Sequence, residues 1–200
     1  MVKPRAYYKK QNVVGHGVPQ HLFTYDKEGL ESATHAREAR QICDAICRLP
    51  GLTQNITVTD ACAGAGGNAM AFVCCDLFLH VHIVEINADR FKQHLTPNLE
   101  MAISLWPHTR TSYILYLSNY VHICRYLKQD VIFLDPPWSD TELSLDGVPV
   151  YELIHSLLTH ARYILLKAPN RFLISDKIAC DVLCDFKKYK IYIMSNSNKI

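Results

Sequence analysis

Hydrophobic positions change their spacing several times along this chain. Over residues 34 to 49, Ala36, Ala39, Ile42, Cys43, Ile46 and Leu49 recur at intervals of three and four, while Arg37, Arg40, Asp44 and Arg48 fall opposite. That spacing predicts an amphipathic helix, ended by Pro50-Gly51. Further on, short apolar or β-branched runs at 56–59, 80–84, 113–117, 131–134, 162–166 and 189–194 read as strands. Helical character fills the gaps at 68–77, 89–105, 121–127, 151–160 and 174–184, with Pro97 marking a break or a new start. Residues 1–30 hold Pro4, Gly15, Gly17 and Pro19 among aromatic and basic residues, and read as an irregular arm.

Strands that alternate with helices, several of them apolar throughout, predict a mostly parallel sheet with helices on both faces. This is a Rossmann-like α/β architecture, in which ligands bind beyond the carboxyl ends of the strands at the point where strand order reverses. A length of 200 residues suits a single domain, expected over 31–200 behind an arm at 1–30. At 49% hydrophobic and 20% charged residues the composition excludes a disordered chain. No run approaches the roughly 20 apolar residues of a membrane span, and no apolar segment follows Met1-Val2-Lys3-Pro4-Arg5. The expectation is an intracellular protein, nuclear or cytoplasmic, neither secreted nor membrane-bound. Eight cysteines without a C-x-x-C pair point to thiols rather than disulfides, and to no metal site. His80 and His82, on one face of a strand, read as packing or surface histidines.

The net charge of +2 conceals segregation, with +3 over residues 1–50, −6 over 51–160 and +5 over 161–200. Basic ends around an acidic middle suit a polyanion held against a site built by the middle.

Two strand ends carry the candidate chemistry. The first leads into Asp60-Ala61-Cys62-Ala63-Gly64-Ala65-Gly66-Gly67-Asn68, and the second ends at Glu85, 21 residues after Gly64. A glycine turn permits close backbone approach, and an acid about 20 positions on is the ribose-hydroxyl acceptor of nucleoside cofactors. Asp60 would repel a pyrophosphate but suits a cationic amino-acid moiety, as in S-adenosylmethionine. The fourth strand leads into Asp135-Pro136-Pro137-Trp138. The prolines fix the backbone and leave carbonyls to accept. Asp135 and the Pro136 carbonyl suit an exocyclic amine, and Trp138 offers a flat face on which a base stacks.

These residues resemble the trimethylguanosine synthases, a family of RNA-cap guanine-N2 methyltransferases with a class I S-adenosylmethionine-dependent fold. The segment Tyr25-Asp26-Lys27-Glu28-Gly29-Leu30-Glu31-Ser32-Ala33-Thr34, the D-x-x-x-G-x-G-G-N loop from Asp60 to Asn68, the V-x-F-L-x-P-P-W run from Val131 to Trp138, and the proline-asparagine loop from Leu165 to Arg171 carry the likeness over about residues 22–195. The resemblance implies that Thr34, Asp60, Gly64 and Asn68 shape the methionine side of the cofactor pocket and that Glu85 holds the ribose. Asn119 lies near adenine, where the family usually has an acid. Asp135 and Pro136 receive the N2 amine, Trp138 stacks 7-methylguanine, and Ser32 lies near the other face. Lys167 or Arg171, beside Asn170, supplies the basic substrate contact. Asp135 stands where the family often has serine, and Ser139-Asp140 where it tends to have glycines. The early end of the chain after its last strand points to a shortened final hairpin.

The function expected is methyl transfer from S-adenosylmethionine to guanine N2 of a capped RNA, by a monomer whose RNA specificity a protein partner would supply. Adenine-N6 or another guanine-N2 target, and a non-catalytic cap-binding module, are the alternatives.

Overall fold

The computed structural model describes residues 22–52, 55–138, 143–172 and 178–196. Strands β1 (Thr57–Asp60), β2 (His80–Glu85), β3 (Ser112–Leu117), β4 (Val131–Leu134), β7 (Tyr163–Pro169), β8 (Asp181–Asp185) and β9 (Tyr189–Ser195) form one sheet in the order β3-β2-β1-β4-β7-β9-β8. The first five are mutually parallel, and β9 runs antiparallel to β7 and β8. Strand order therefore reverses between β1 and β4, which sets Asp60 and Asp135 side by side at the carboxyl edge. This is a Rossmann-like α/β fold, as expected.

Alternation along the strands divides the core. Val131, Phe133 and Leu165 join the layer of helices α2 (Ala36–Ile46), α3 (Gly67–Cys74) and α5 (Thr96–Leu105). Ile132, Leu134, Ile164 and Leu166 join the layer of α6 (Tyr120–Ile123) and α7 (Val150–Leu157). Central strands buried on both faces read as unbroken apolar runs for this reason. Between α4 (Ala88–Arg90) and α5 the helix continues as a π-helical turn, Phe91–Leu95, with Pro97 in the first turn of α5. Pro97 thus falls within a continuous helical run, where its missing N–H and its ring interrupt the regular ladder, and the π-helical turn just before it takes up the misfit.

Three elements depart from the sequence reading. Lys27–Ser32 forms a helix, α1, where the run up to residue 30 reads as irregular. Its N-cap Asp26 accepts from the Gly29 amide at 2.7 Å and from Arg90 Nε at 2.9 Å, and Arg90 also pairs with Glu28. Upstream, Phe23 is buried and Thr24 hydrogen-bonds Asn98. Second, the helix expected at 174–184 is absent from the described part of that span, since 181–185 is the edge strand β8, which pairs antiparallel with β9 as a final hairpin. Third, β5 (Ser144–Leu145) and β6 (Val148–Pro149) form a small hairpin turned by Asp146-Gly147, both at positive φ.

At the opposite edge, β3 pairs with β2 in unbroken register along its whole length. Nothing among the described residues pairs with its free side. It carries no charge, and Tyr113, Ile114 and Leu117 are exposed. All eight cysteines are free thiols. No helix among the described residues is long and apolar enough to cross a membrane.

Candidate active site

β1 delivers Asp60 to the sheet edge, and the chain turns through Ala63 to Gly66 into α3. Gly64 and Gly66 adopt left-handed conformations, with φ of 57° and 97°. A side chain at Gly64 would point into open space. The loop is braced from β2: Glu85, itself buried, accepts from the Gly64 amide at 2.8 Å and from the Asn87 amide at 2.7 Å. Burial raises the Glu85 carboxyl, and these amides and Arg90 work against that.

Asp60 is fully buried, and neither carboxylate oxygen has a hydrogen-bond partner. Burial first, and the charge of Asp135 second, push it up to about 8. At the far end of the loop the buried Asn68 donates to Thr34 Oγ1 at 3.0 Å, while its carbonyl oxygen is unpartnered. Buried polar groups are rarely left unpaired. Unpartnered acceptors beside an open glycine turn fit a ligand that brings a cationic donor, as the ammonium of an amino-acid moiety does.

β4 delivers Asp135-Pro136-Pro137-Trp138. Pro136 is buried, Pro137 is exposed, and Trp138 is 41% exposed, as a stacking platform requires. Asp135 accepts from Lys167 Nζ at 2.7 Å through Oδ2. Lys167 lies on β7, one step beyond the Leu134–Leu166 register pair, so parallel pairing brings the two together. It is 1% exposed and also donates to Thr34 Oγ1 at 2.9 Å and to the Ser32 carbonyl at 3.1 Å. Its nitrogen lies 5.4 Å from the Trp138 ring and 4.8 Å from the Tyr189 ring. Burial raises the Asp135 carboxyl, and Lys167 opposes that shift.

Thr34, Asp60, Gly64, Asn68, Glu85, Asp135, Pro136 and Lys167 therefore converge on the switch point. Ser32 ends α1 beside them, with its hydroxyl turned to the Glu28 carbonyl. Asn119 caps α6: its amide oxygen accepts from Val121 N at 2.9 Å, and its NH2 donates to Asp146. Asp146, missed in the sequence, brings a carboxylate next to Asn119, and the Asp-Gly turn that carries it was the available signal. Asn170 hydrogen-bonds the Phe186 and Lys187 carbonyls and steadies the β8–β9 turn, and Arg171 is exposed beyond β7. Tyr189, also missed, packs on Trp138 and donates to Glu38 at 2.8 Å. Burial and Glu38 raise its hydroxyl. A cleft of about 300 Å³ opens next to this pair, lined by His35, Arg37, Glu38, Gln41 and Phe186. Among the described residues no group of three or more His, Cys, Asp or Glu is placed to hold a metal. The basic and aromatic arm, with Lys3, Arg5, Tyr7, Tyr8, Lys9 and Lys10, lies outside the described residues, as do Ser139 and Asp140.

No family model matches the chain. It is 28% identical over 132 residues to the uncharacterised protein L320 of Acanthamoeba polyphaga mimivirus, covering 60% of this chain and 48% of the relative. The chain thus matches about half the length of that curated relative. Solved structures share the fold. The rRNA methyltransferase aviRa of Streptomyces viridochromogenes superposes with a TM-score of 0.63 at 14% identity, over 99% of this chain and 95% of its own. The methyltransferase domain of METTL16 gives 0.60 at 11% identity, over 96% and 93%.

Proposed function

We propose that this protein is an S-adenosylmethionine-dependent methyltransferase acting on the exocyclic amine of an RNA base, and that its substrate is N2 of the 7-methylguanosine cap. One observation carries the reading. Two carboxylates meet at the switch point in opposite states, Asp60 buried and unpartnered, Asp135 held by a lysine beside an exposed tryptophan. The cofactor, when bound, supplies a methyl group on a positively charged sulfur. Asp60 accepts from its ammonium, Glu85 holds the ribose hydroxyls through its remaining lone pairs, and Thr34 and Asn68 shape the wall between them. Trp138 stacks the base. Asp135 Oδ1 and the Pro136 carbonyl accept from the amine and turn its lone pair toward the donor, so that orientation carries much of the rate. The amine sheds one proton as it is methylated, and Asp135 Oδ1 is the oxygen poised to hold it.

The choice of cap guanine rests on the Asp60–Asn68 and Asp135–Trp138 motifs and their order in the chain. Such a substrate requires a nuclear or cytoplasmic location, with a protein partner supplying RNA specificity. The deciding experiment measures methyl transfer to cap analogues with and without the 7-methyl group, followed by mass analysis of the methylated nucleosides. Transfer to the 7-methylated analogue alone supports the cap reading. Equal turnover of both, or methylated adenosine as product, overturns it and leaves the wider amine methyltransferase. S-adenosylhomocysteine binding without any transfer would indicate a cap-binding module.

A further inference from the structure

Lys167, one of two residues expected to make the basic substrate contact, is engaged elsewhere. A lysine that grips phosphate needs solvent access and free donors. Lys167 is 1% exposed, and its three N–H bonds are directed at three acceptors, Asp135 Oδ2, Thr34 Oγ1 and the Ser32 carbonyl. An ammonium carries three donors, so none remains for a ligand. The rings of Trp138 and Tyr189 lie against it. A buried ion pair is weak evidence for stability, because desolvation offsets much of the attraction. This one joins three separate parts of the site. Asp135 belongs to the acceptor loop, Ser32 ends α1, and Thr34 in turn accepts from Asn68 at the far end of the glycine loop.

We propose that Lys167 is a positioning residue: it holds Asp135 ionised with Oδ2 occupied and Oδ1 left for the substrate amine, and it ties that loop through Thr34 and Asn68 to the cofactor loop. The proposal rests on the amine-methyltransferase reading for its consequence and on the hydrogen-bond network for its existence. Holding both loops through one ammonium fixes their separation, and transfer rates are sensitive to displacements of about 1 Å. The charged or titratable groups around Asp135 are Asp60 from the end of β1, Cys62 from the glycine loop, Lys167 from β7 and Tyr189 from β9. Of these only Lys167 is cationic, so removing it leaves burial and the neighbouring acid unopposed.

Three measurements on Lys167→Met test this. The carboxyl carbon signal of Asp135, followed against pH by NMR with neither cofactor nor RNA present, should titrate at higher pH than in the wild type. The affinity for S-adenosylhomocysteine, read by calorimetry, should fall roughly tenfold as the tie through Thr34 and Asn68 to the cofactor loop is lost. The kcat should fall about 100-fold with KM for the cap analogue within about threefold, as expected for a group that acts in the transition state. Lys167→Arg should restore the Asp135 titration but only part of kcat, because a planar fork does not match three acceptors set around an ammonium. An unchanged Asp135 titration together with unchanged S-adenosylhomocysteine affinity overturns the proposal. If Lys167→Met does not fold, Thr34→Val decides: it removes the shared acceptor and keeps the ion pair, so affinity should fall severalfold while Asp135 titrates as before, and unchanged affinity overturns the coupling. A wild-type protein that binds no S-adenosylhomocysteine would instead sink the methyltransferase reading, and the Asp135 titration would still report on Lys167.

Discussion

Asp60 shows how one buried group sets both stability and ligand binding. Its folded value of about 8 lies well above the ordinary carboxylate range. Between that range and about pH 8 the folded protein holds a proton that the unfolded chain has released. Its contribution therefore favours folding at low pH and declines as pH rises toward 8. Asp60→Asn should flatten this loss, giving a higher melting temperature than the wild type at pH 8 and little difference near pH 4. Ligand binding should move the other way. An ammonium on Asp60 requires the ionised form, so at pH 7 S-adenosylhomocysteine should release a proton on binding, and its affinity should weaken as pH falls. Calorimetry in buffers of different ionisation enthalpy reads the proton directly, and Asp60→Asn should bind roughly 10- to 100-fold more weakly. Asp60, Glu85 and Asp135 were legible in the sequence because each ends a strand and stands in a short contiguous motif. The roles of Lys167 and Tyr189 were not. Lys167 meets Asp135 across 32 positions and Thr34 across 133, and Tyr189 meets Glu38 across 151. Only strand order brings them together.

Among the elements, α1 forms a wall of the site. A Cβ on Gly29 would come within 2.6 Å of Asp26 Oδ1 and 3.1 Å of Ala65 Cβ, so α1 lies directly on the glycine loop. Asp26 cannot yield freely, because it caps the helix and pairs with Arg90. Gly29→Ala should therefore cost about 1–2 kcal/mol of stability, through a strained cap and crowding, and should weaken S-adenosylhomocysteine binding as the helix lifts from Ala65. Denaturant unfolding and calorimetry check the two effects. At six residues α1 is too short for helical periodicity to show. The strand β8 was misread for a different reason. A register shift between Val182 and Cys184 breaks the two-residue alternation, and its position at the sheet edge leaves it largely exposed. Without a clean period, Ile178, Val182 and Leu183 mimic helical spacing. The central strands β4 and β7 are legible because burial on both faces leaves a continuous apolar run, and β1 because Ile56-Thr57-Val58-Thr59 is rich in β-branched residues.

Taken whole, the molecule shows less free positive charge than its composition suggests. Of the basic residues that make residues 161–200 read as +5, Lys167 is enclosed and paired with Asp135, and Arg162 lies 3.8 Å from Asp130, both acids lying outside that segment. Lys187 is exposed at the β8–β9 turn, at the end of the sheet that carries Tyr189 and, packed on it, Trp138. A count along the chain cannot separate charges that face solvent from those neutralised in place. The opposite edge of the sheet has another consequence. Folding is unimolecular and indifferent to dilution, but pairing along the free side of β3 is not. An uncharged edge strand with exposed Tyr113, Ile114 and Leu117, and no partner on its outer side among the described residues, is a template for a second chain. Sheet extension is second order in protein, so the fold carries an upper working concentration unrelated to its melting temperature. Light scattering should show the apparent mass of the wild type rising with concentration, and Ile114→Lys should hold it flat at unchanged melting temperature, since a charge there blocks pairing without touching either core layer.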